Sequence, residues 1–484
     1  MQENNRPPDR QLQREGVNAF KWALVDKFGS QVIVLMNTLV LARLLDPHDF
    51  GLISVLYIFM SISSAFVDSG MGGGLVRKQD LTNTDCNTFF LFNIFTGLFF
   101  YCLLFFLAPV IANFYHEPTL IMLLRILSIT VLVNAVSLIH KSLLVKNLRY
   151  KLVTRASFLA AILSTIIALI LAWKGFGVWS LLTLQVSQSV FYMLLLWKFS
   201  GWLPGLKFSW ASFKELYGFG FGLFLTALVN IIYANIYQPL IGKFFSLAYS
   251  GYFYQAKRLY EVPVLSISSV VDSVTYPILV RYQNNREELV ENYRKIVRLL
   301  LFVSIPIIIT IGFLAHPLVL VLLGKKWLFS ADLLQILSFS GIFLILETIN
   351  GSLMKVEGRT KLIFKLEVLK KIIITINIII FCQFGIKTLV YGIVINSFIS
   401  FVINQYFTSI RIASYKKLFT LFIMGSIMAV VILNLTRVIL NPYFAILLGG
   451  ISGVLTYLTA SYLLKFPELR WIFMIITNKI KTVS

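Results

Sequence analysis

Charged side chains are scarce in this sequence, and acidic ones are the scarcer half. Only 13% of the 484 residues are charged, and 21 Asp and Glu stand against 43 Lys and Arg. Soluble domains carry about 25% charged residues, and a core cannot hide a hydrophobic content of 58%. The scarcity excludes an ordinary water-soluble protein, so the excess apolar surface must face lipid.

Cysteine and histidine are also rare. Three cysteines (Cys86, Cys102 and Cys382) lie far apart, and four histidines are scattered, so no disulfide framework or metal-spaced cluster is predicted. The sequence holds no Walker loop, HExxH sequence or nucleophile motif. We therefore expect no catalytic residue, no metal and no bound cofactor.

Long apolar stretches dominate instead. A transmembrane helix needs about 20 mainly apolar residues. Fourteen stretches of the sequence meet this description. They run near residues 17–45, 50–76, 87–114, 118–145, 150–173, 177–199, 214–243, 248–280, 293–323, 330–355, 361–384, 387–411, 416–439 and 443–465. The predicted fold is an all-α polytopic membrane protein, with no extramembrane domain between its short loops.

The distribution of cations predicts the orientation of these helices. If the N-terminus is cytoplasmic, the inner loops carry 22 Lys and Arg, Lys141 among them, and the outer loops carry seven. Cytoplasmic loops are enriched in Lys and Arg. We therefore expect both termini to be cytoplasmic, and the excess of 43 cations over 21 anions to reflect topology and not a nucleic-acid partner. The polar residues 1–16 lack the apolar core of a cleavable signal peptide, so the first span is the expected targeting signal.

Two segments 200 residues apart resemble one another. Residues 41–51 and 241–251 each join two predicted helices, with Arg43 matching Lys243 and Gly51 matching Gly251. Six helices separate the segments, which indicates a parallel repeat of two pseudo-symmetric six-helix lobes around a central cavity. Because few residues are identical, chance similarity is the alternative.

The repeat sets the predicted domain boundaries. They are an N-terminal tail (1–16), an N-lobe of helices 1–6 (17–199), a linker (200–213), a C-lobe of helices 7–12 (214–411), helices 13–14 (412–465) and a C-terminal tail (466–484).

Cations within predicted spans are the first candidates for a binding site. Ionisable residues in a membrane span are costly and usually face a cavity or a partner. The eighth predicted span (248–280) carries Lys257 and Arg258 close to Glu261, and one carboxylate cannot neutralise two cations. A structural ion pair is the alternative. The full predicted cationic set is Lys21, Lys27, Arg43, Lys257 and Arg258, with Lys27, Lys257 and Arg258 near mid-membrane.

Polar residues on the same helices suggest two further roles. Amides and aromatic rings suit sugars, so Gln31, Asn37, Asn230, Tyr233 and Tyr254 are predicted to line the cavity. The carboxylates Asp26, Asp68, Glu261 and Asp272 are candidates for coupling to a proton or sodium gradient. The alternative for Asp26 is a structural partner of a nearby lysine.

Several short motifs, in this order, resemble a known family. They are Ala42–Gly51 (ARLLDPHDFG), Phe66–Gly70 (FVDSG), Gln255–Leu259 (QAKRL) with Pro263, Tyr276–Pro277, Leu323–Trp327 (LGKKW), Asn350–Leu353 (NGSL) and Glu357–Thr360 (EGRT). Together they resemble the Wzx-type, WzxC-like polysaccharide transporters of the multidrug/oligosaccharidyl-lipid/polysaccharide exporter superfamily.

The resemblance implies a flippase for undecaprenyl-pyrophosphate-linked oligosaccharides of O-antigen, capsule or exopolysaccharide. It implies alternating access in the bacterial inner membrane, contact with membrane lipids, and possible association with other polysaccharide assembly proteins. Two alternatives remain open. One is a multidrug or small-molecule exporter of the same superfamily, and the other is a membrane polysaccharide-modifying enzyme.

Overall fold

The predicted all-α fold is confirmed. The structure is a computed structural model that describes residues 10–411, 415–469 and 471, and these residues hold helices and no β-strand. The α-helices, in chain order, are α1 (Arg10–Leu44), α2 (Pro47–Asp68), α3 (Met71–Arg77), α4 (Asn83–Tyr115), α5 (Thr119–Leu127), α6 (Ile129–Lys146), α7 (Tyr150–Trp173), α8 (Val178–Ser200), α9 (Trp210–Asn235), α10 (Tyr237–Phe244), α11 (Leu247–Val270), α12 (Tyr276–Arg281), α13 (Arg286–Phe313), α14 (Ala315–Leu322), α15 (Leu328–Ser338), α16 (Ser340–Val356), α17 (Thr360–Phe381), α18 (Ile386–Phe407), α19 (Tyr415–Val438) and α20 (Pro442–Leu463).

Polar residues mark where several helices begin. Thr82 precedes α4, and its hydroxyl accepts from the backbone N–H of Asp85 at 3.2 Å, while the Asp85 carboxylate accepts from the N–H of Thr82 at 3.0 Å. Asn285 caps α13 in the same way through the N–H of Glu288. These side chains satisfy backbone donors that have no partner in the first turn of a helix. They therefore fix the start of helices whose apolar interiors have no sharp boundary.

One predicted span is interrupted. The sequence predicts a single helix over 248–280, bent at Pro263. The structure keeps Pro263 inside α11 and replaces the next turn by a π-helix at Val271–Thr275. Pro277, in the first turn of α12, has no N–H for an α-helical bond to residue 273. The wider π turn accommodates this missing bond, and such turns are common at functional sites.

Twelve helical segments of the described residues are long and apolar enough to cross a membrane. They are Lys21–Leu44, Pro47–Arg77, Asn83–Tyr115, Thr119–Lys146, Tyr150–Trp173, Val178–Ser200, Phe224–Phe244, Arg286–Phe313, Lys325–Val356, Ile386–Phe407, Phe419–Val438 and Pro442–Leu463. The other two predicted spans are helical, as α11 with α12 and as α17, but carry more charge. The multi-pass architecture is thus confirmed, and the number fourteen stays a prediction.

The described residues pack as two compact units, which divide between Tyr254 and Gln255. In the first unit α2 packs against α4, α6, α8 and α9. In the second unit α13 packs against α15, α16, α19 and α20. The lobe boundaries of the sequence analysis stay a prediction.

The start of the predicted C-terminal tail is packed within the second unit. Phe466 is only 7% exposed and stacks on Phe302 of α13. Glu468 is fully buried, and its Oε1 lies 3.0 Å from Nε of Arg298. A buried carboxylate is stable only beside a counter-charge, so this ion pair fastens residues 466–469 to α13.

We expect the Glu468→Gln substitution to destabilise the protein by about 3 kcal/mol, because it leaves the Arg298 charge without its buried partner. The melting temperature of the purified protein in detergent measures this loss. The double variant Arg298→Met/Glu468→Leu removes both charges and should melt closer to the wild type. An unchanged Tm for Glu468→Gln would contradict the assignment of a buried pair.

Candidate functional site

A cavity of about 680 Å³ lies inside the first unit, between α2, α6, α8 and α9. Its wall combines hydroxyl, amide and aromatic side chains with small apolar ones, and Asp68 is the charged residue among those lining it. The polar residues that define its character are Tyr57, Ser61, Asn134, Gln185, Ser189 and Asn235. Groups of this kind can hydrogen-bond hydroxyls and pack on apolar faces of a ligand.

Helical spacing brings these side chains to one space. Residues three, four or seven apart lie on the same face of an α-helix. On α2, Tyr57, Ser61 and Asp68 follow this spacing, and α8 contributes Gln185 and Ser189 four residues apart. The walls formed by α2 and α8 thus each carry a polar stripe on an otherwise apolar helix, whereas α9 contributes mainly the apolar residues Phe224, Ala227 and Ile231.

A smaller void of about 80 Å³ adjoins the first cavity, because Tyr57 and Gln185 line both. The rings of Tyr57 and Tyr254 stack at 5.7 Å between centroids, and Nε2 of Gln185 donates to the Tyr57 hydroxyl at 3.2 Å. Asn37 also lines this void, and its Oδ1 accepts from the hydroxyl of Thr165 at 2.9 Å. The two voids form a continuous aromatic and amide surface.

Of the five residues predicted to contact sugars, two lie at this surface. Asn37 and Tyr254 line the smaller void. Gln31, Asn230 and Tyr233 line neither of these two voids. Gln31 and Tyr233 are half-buried and Asn230 is exposed. Their contribution to sugar binding stays a prediction.

The start of α2 crosses the start of α11 without any side chain between the two backbones. A Cβ atom at Gly51 would lie 1.8 Å from the carbonyl oxygen of Leu247, and one at Gly251 would lie 1.9 Å from that of Pro47. Both positions therefore require glycine. The hydroxyls of Ser54 and Ser250 lie 2.8 Å apart in the same buried contact. We call this crossing the Pro47-end contact.

The other end of α2 makes a second backbone contact. Gly70 follows α2 with φ of +70°, a conformation that favours glycine. A Cβ atom at Gly70 would lie 2.3 Å from the carbonyl oxygen of Gly220 in α9, and one at Gly220 would lie 2.5 Å from the carbonyl carbon of Gly70. We call this crossing the Asp68-end contact. The 680 Å³ cavity lies between the two contacts, which are roughly 28 Å apart along the helix.

The predicted cations of the first unit lie away from these voids. Lys21, Lys27 and Arg43 are exposed residues of α1, and none of them lines either void. The lysine that acts electrostatically on both Asp26 and Asp68 is Lys141 of α6. Sequence reasoning assigned Lys141 to a cytoplasmic loop, and the signal it missed is the spacing of Lys141 from Asn134.

In the second unit the cations of α11 differ in their surroundings. Nζ of Lys257 lies 3.5 Å from Oε1 of Glu261. Nε of Arg258 is buried and has no hydrogen-bond partner within the described residues. This difference between Lys257 and Arg258 is expected, because the single carboxylate of Glu261 lies beside two cations. The side chain of Asp272, a predicted coupling residue, lies outside the described ones, and the roles of Lys257, Arg258, Glu261 and Asp272 stay predictions.

A charged cluster that the predicted site set did not contain lies between α16 and α17. Lys370 is 4% exposed, its Nζ lies 2.5 Å from Oε1 of Glu347, and it also pairs with Glu367. Glu347 and Glu367 line a cavity of about 270 Å³ together with Asn404. The three-residue spacing of Glu367 and Lys370 inside an apolar span was the available signal.

No group of three or more His, Cys, Asp or Glu side chains in the described part of the chain is arranged to hold a metal ion. The chemistry that the described cavities offer is hydrogen bonding, ring packing and charge, which serve binding.

Comparison with known proteins gives a consistent match. The family model described as "Polysaccharide biosynthesis protein" matches residues 40–332. The teichuronic acid biosynthesis protein TuaB of Bacillus subtilis (strain 168) is 26% identical over 361 residues, which cover 73% of this chain and 74% of TuaB. The lipopolysaccharide biosynthesis protein WzxC of Escherichia coli (strain K12) is 22% identical over 74% of this chain and 73% of its own length. The resemblance inferred from the motifs is confirmed.

Among solved structures, the lipid II flippase MurJ in an inward closed conformation superposes with a TM-score of 0.75. The superposition covers 92% of this chain and 98% of MurJ, and the two sequences are 17% identical. At this identity the match establishes a shared fold, that of a polytopic all-α membrane protein.

An engineered disulfide can test the Pro47-end contact. We expect Ser54→Cys/Ser250→Cys, in a background where Cys86, Cys102 and Cys382 are replaced by alanine, to form a cross-link on mild oxidation, because the two serine oxygens are 2.8 Å apart. Loss of thiol labelling by a mass-tagged maleimide measures it. Adding Gly251→Leu should prevent the cross-link by separating the helices. Full labelling of both thiols after oxidation would contradict the contact.

Proposed function

The chain belongs to the polysaccharide biosynthesis protein family, and on that premise we propose that it is a flippase for lipid-linked oligosaccharides. Its substrate would be an undecaprenyl-pyrophosphate-linked repeat unit, carried across the bacterial inner membrane for a cell-surface polysaccharide. The proposal concerns transport and assigns no catalytic residue.

The observation that carries the proposal is the position of the sugar-compatible surface. Amides, hydroxyls and stacked tyrosines line the two voids between the Pro47-end and Asp68-end contacts. Sugars present hydroxyls for hydrogen bonds and C–H faces for aromatic rings, so this surface suits a glycan. A glycan-compatible surface inside a membrane-spanning bundle suits a protein that moves glycans across the membrane.

The two backbone contacts suggest how access alternates. A cavity that serves both sides of a membrane must open to one side while it is closed to the other. In the orientation predicted from the 22 inner and seven outer cations, the Pro47 end faces the periplasm and the Asp68 end the cytoplasm. Opening the Asp68-end contact would admit the glycan, and opening the Pro47-end contact would release it. The substrate drives this exchange only through its different affinity for the two states.

Lys257 and Arg258 supply the positive charge that the pyrophosphate group needs. A guanidinium forms paired hydrogen bonds with phosphate oxygens, and an ammonium acts as a compact charge. The Arg258 Nε, buried and without a hydrogen-bond partner in the described residues, is a donor for such a ligand. Partners beyond the lipid-linked glycan would be membrane lipids and other polysaccharide assembly proteins.

One observation favours a second candidate, an exporter of small cationic compounds. Asp68, a carboxylate, is the charged residue lining the 680 Å³ cavity, and a carboxylate attracts cations. Resistance to cationic dyes on expression, lost on Asp68→Asn, would support this alternative. The large share of neutral hydrogen-bonding groups in the same wall favours a glycan.

We expect Lys257→Ala/Arg258→Ala to abolish polymer at the cell surface without loss of the protein from the membrane, because the two α11 cations proposed to bind the pyrophosphate are removed. Staining of surface polysaccharide and immunoblotting of membranes measure the two quantities. Lys174→Ala, which removes an exposed cation between α7 and α8, is the matched control. Normal surface polymer in the double variant would refute the assignment of these residues.

Reconstitution tests the function itself. Purified protein in liposomes should expose a fluorescent undecaprenyl-pyrophosphate-linked oligosaccharide to an external glycosidase faster than protein-free liposomes do. Cleavage that stops at the outer-leaflet fraction in both preparations would contradict a flippase.

A further inference from the structure

Lys141 lies on the cavity-facing side of α6. Thr130 and Asn134 of this helix line the 680 Å³ cavity. Lys141 follows Asn134 by seven residues and Thr130 by eleven, which correspond to about two and three helical turns. The three residues therefore lie along one stripe, with Lys141 nearest the Asp68 end.

Asp68 and Ser142, the residue that follows Lys141, both lie close to Gly72. A Cβ atom at Gly72 would lie 2.8 Å from Oδ1 of Asp68 and 3.5 Å from Oγ of Ser142, the neighbour of Lys141. Lys141 acts electrostatically on Asp68 and also on Asp26 of α1. Oδ1 of Asp26 is buried and has no hydrogen-bond partner in the described residues. Two carboxylates from different helices are thus within electrostatic range of one ammonium group.

The neighbouring lysines at this end are already occupied. Nζ of Lys78 lies 2.8 Å from Glu215 and 3.0 Å from Asp85, and the hydrogen bond that Lys78 donates to Glu215 is the main cause that raises the pKa of Lys78. Lys146 donates to the backbone carbonyls of Leu75 and Lys78. Lys141 is exposed and has neither a hydrogen bond nor an ion pair with any described residue. Its three N–H donors are available to a ligand.

We propose that Lys141 binds a phosphate group of the lipid-linked substrate, and that this phosphate competes with Asp26 and Asp68 for the lysine. The proposal rests on the proposed function. It adds a phosphate-binding residue near the Asp68 end of the 680 Å³ cavity. The ligand chemistry is a diphosphate, whether attached to a polyprenyl chain or free.

The competition gives the site a means of release. Lys141 attracts the phosphate while the two carboxylates repel it, so binding is selective for phosphate yet limited in strength. The electrostatics predict opposite effects for the two kinds of residue. Removing the lysine charge weakens phosphate binding, and removing a carboxylate charge strengthens it.

Equilibrium binding to the purified full-length protein in detergent tests the proposal, with undecaprenyl diphosphate, undecaprenol and inorganic pyrophosphate as separate probes. We expect Lys141→Gln to weaken binding of undecaprenyl diphosphate at least about tenfold, as for a lost hydrogen bond between charged groups. Lys141→Arg should retain binding, and Asp68→Asn should tighten it. Lys198→Gln, which removes an exposed lysine near the end of α8, is the control and should behave as the wild type.

The probes separate the sources of the ligand and the possible failures. Lys141-dependent binding of inorganic pyrophosphate would show that phosphate alone is recognised, and its absence would show that the lipid is also needed. Wild-type affinity for undecaprenyl diphosphate in folded Lys141→Gln would overturn the inference, and so would weaker binding in Asp68→Asn. Equal wild-type affinity for undecaprenyl diphosphate and undecaprenol would instead contradict the proposed function.

Discussion

The arrangement of the first unit depends on a backbone-to-backbone crossing in which no side chain fits. Gly51 lies on the carbonyl of Leu247 and Gly251 on that of Pro47. Under the sequence alignment that matches 51 to 251, these two contacts are the same contact made twice. Close approach of this kind maximises packing between helices in a membrane, where no hydrophobic effect drives them together. Because the contact relies on missing side chains, it can separate without breaking a buried charge pair.

The second constraint is the cost of charge inside an apolar bundle. Lys370 forms ion pairs with the carboxylates of Glu347 and Glu367, and Glu468 forms an ion pair with Arg298. Each of these charges has an ion-pair partner within the protein, which identifies it as structural. Arg258 and Lys141 are different, because neither has an ion pair with a described residue. Intramembrane charges without a dedicated partner are the residues most suited to a charged ligand, and this difference directs the functional assignment.

Sequence reasoning recovered the architecture well, because long apolar stretches and flanking cations are strong local signals. It predicted Asn37 and Tyr254 as cavity residues, and both line the smaller void. It predicted a single helix over 248–280, whereas α-helical geometry is interrupted at Val271–Thr275, because Pro277 has no N–H for an α-helical bond to residue 273. The predicted bend at Pro263 stays a prediction. The apolar pattern of the sequence does not show that a π turn would form there.

The composition of the cavity was harder to predict, since it depends on which helices become neighbours. Lys141 was counted as a loop cation because it lies close to the basic turn that follows α6. Only the packing of α2 against α6 brings Asp68 near it. Gly51 and Gly251 were recognised as matching positions, but their mutual contact requires the crossing of two helices that are distant in sequence.

The distance across the Pro47-end contact during the transport cycle tests most directly whether this contact opens. Spin labels at Asp46→Cys and Tyr249→Cys, on the two sides of the crossing, report that distance by pulsed electron resonance in lipid nanodiscs. If this contact opens during transport, the free protein shows a short distance, and a second, longer population appears when lipid-linked oligosaccharide is added. A single short distance, unchanged by a substrate that the same preparation demonstrably transports, would contradict it.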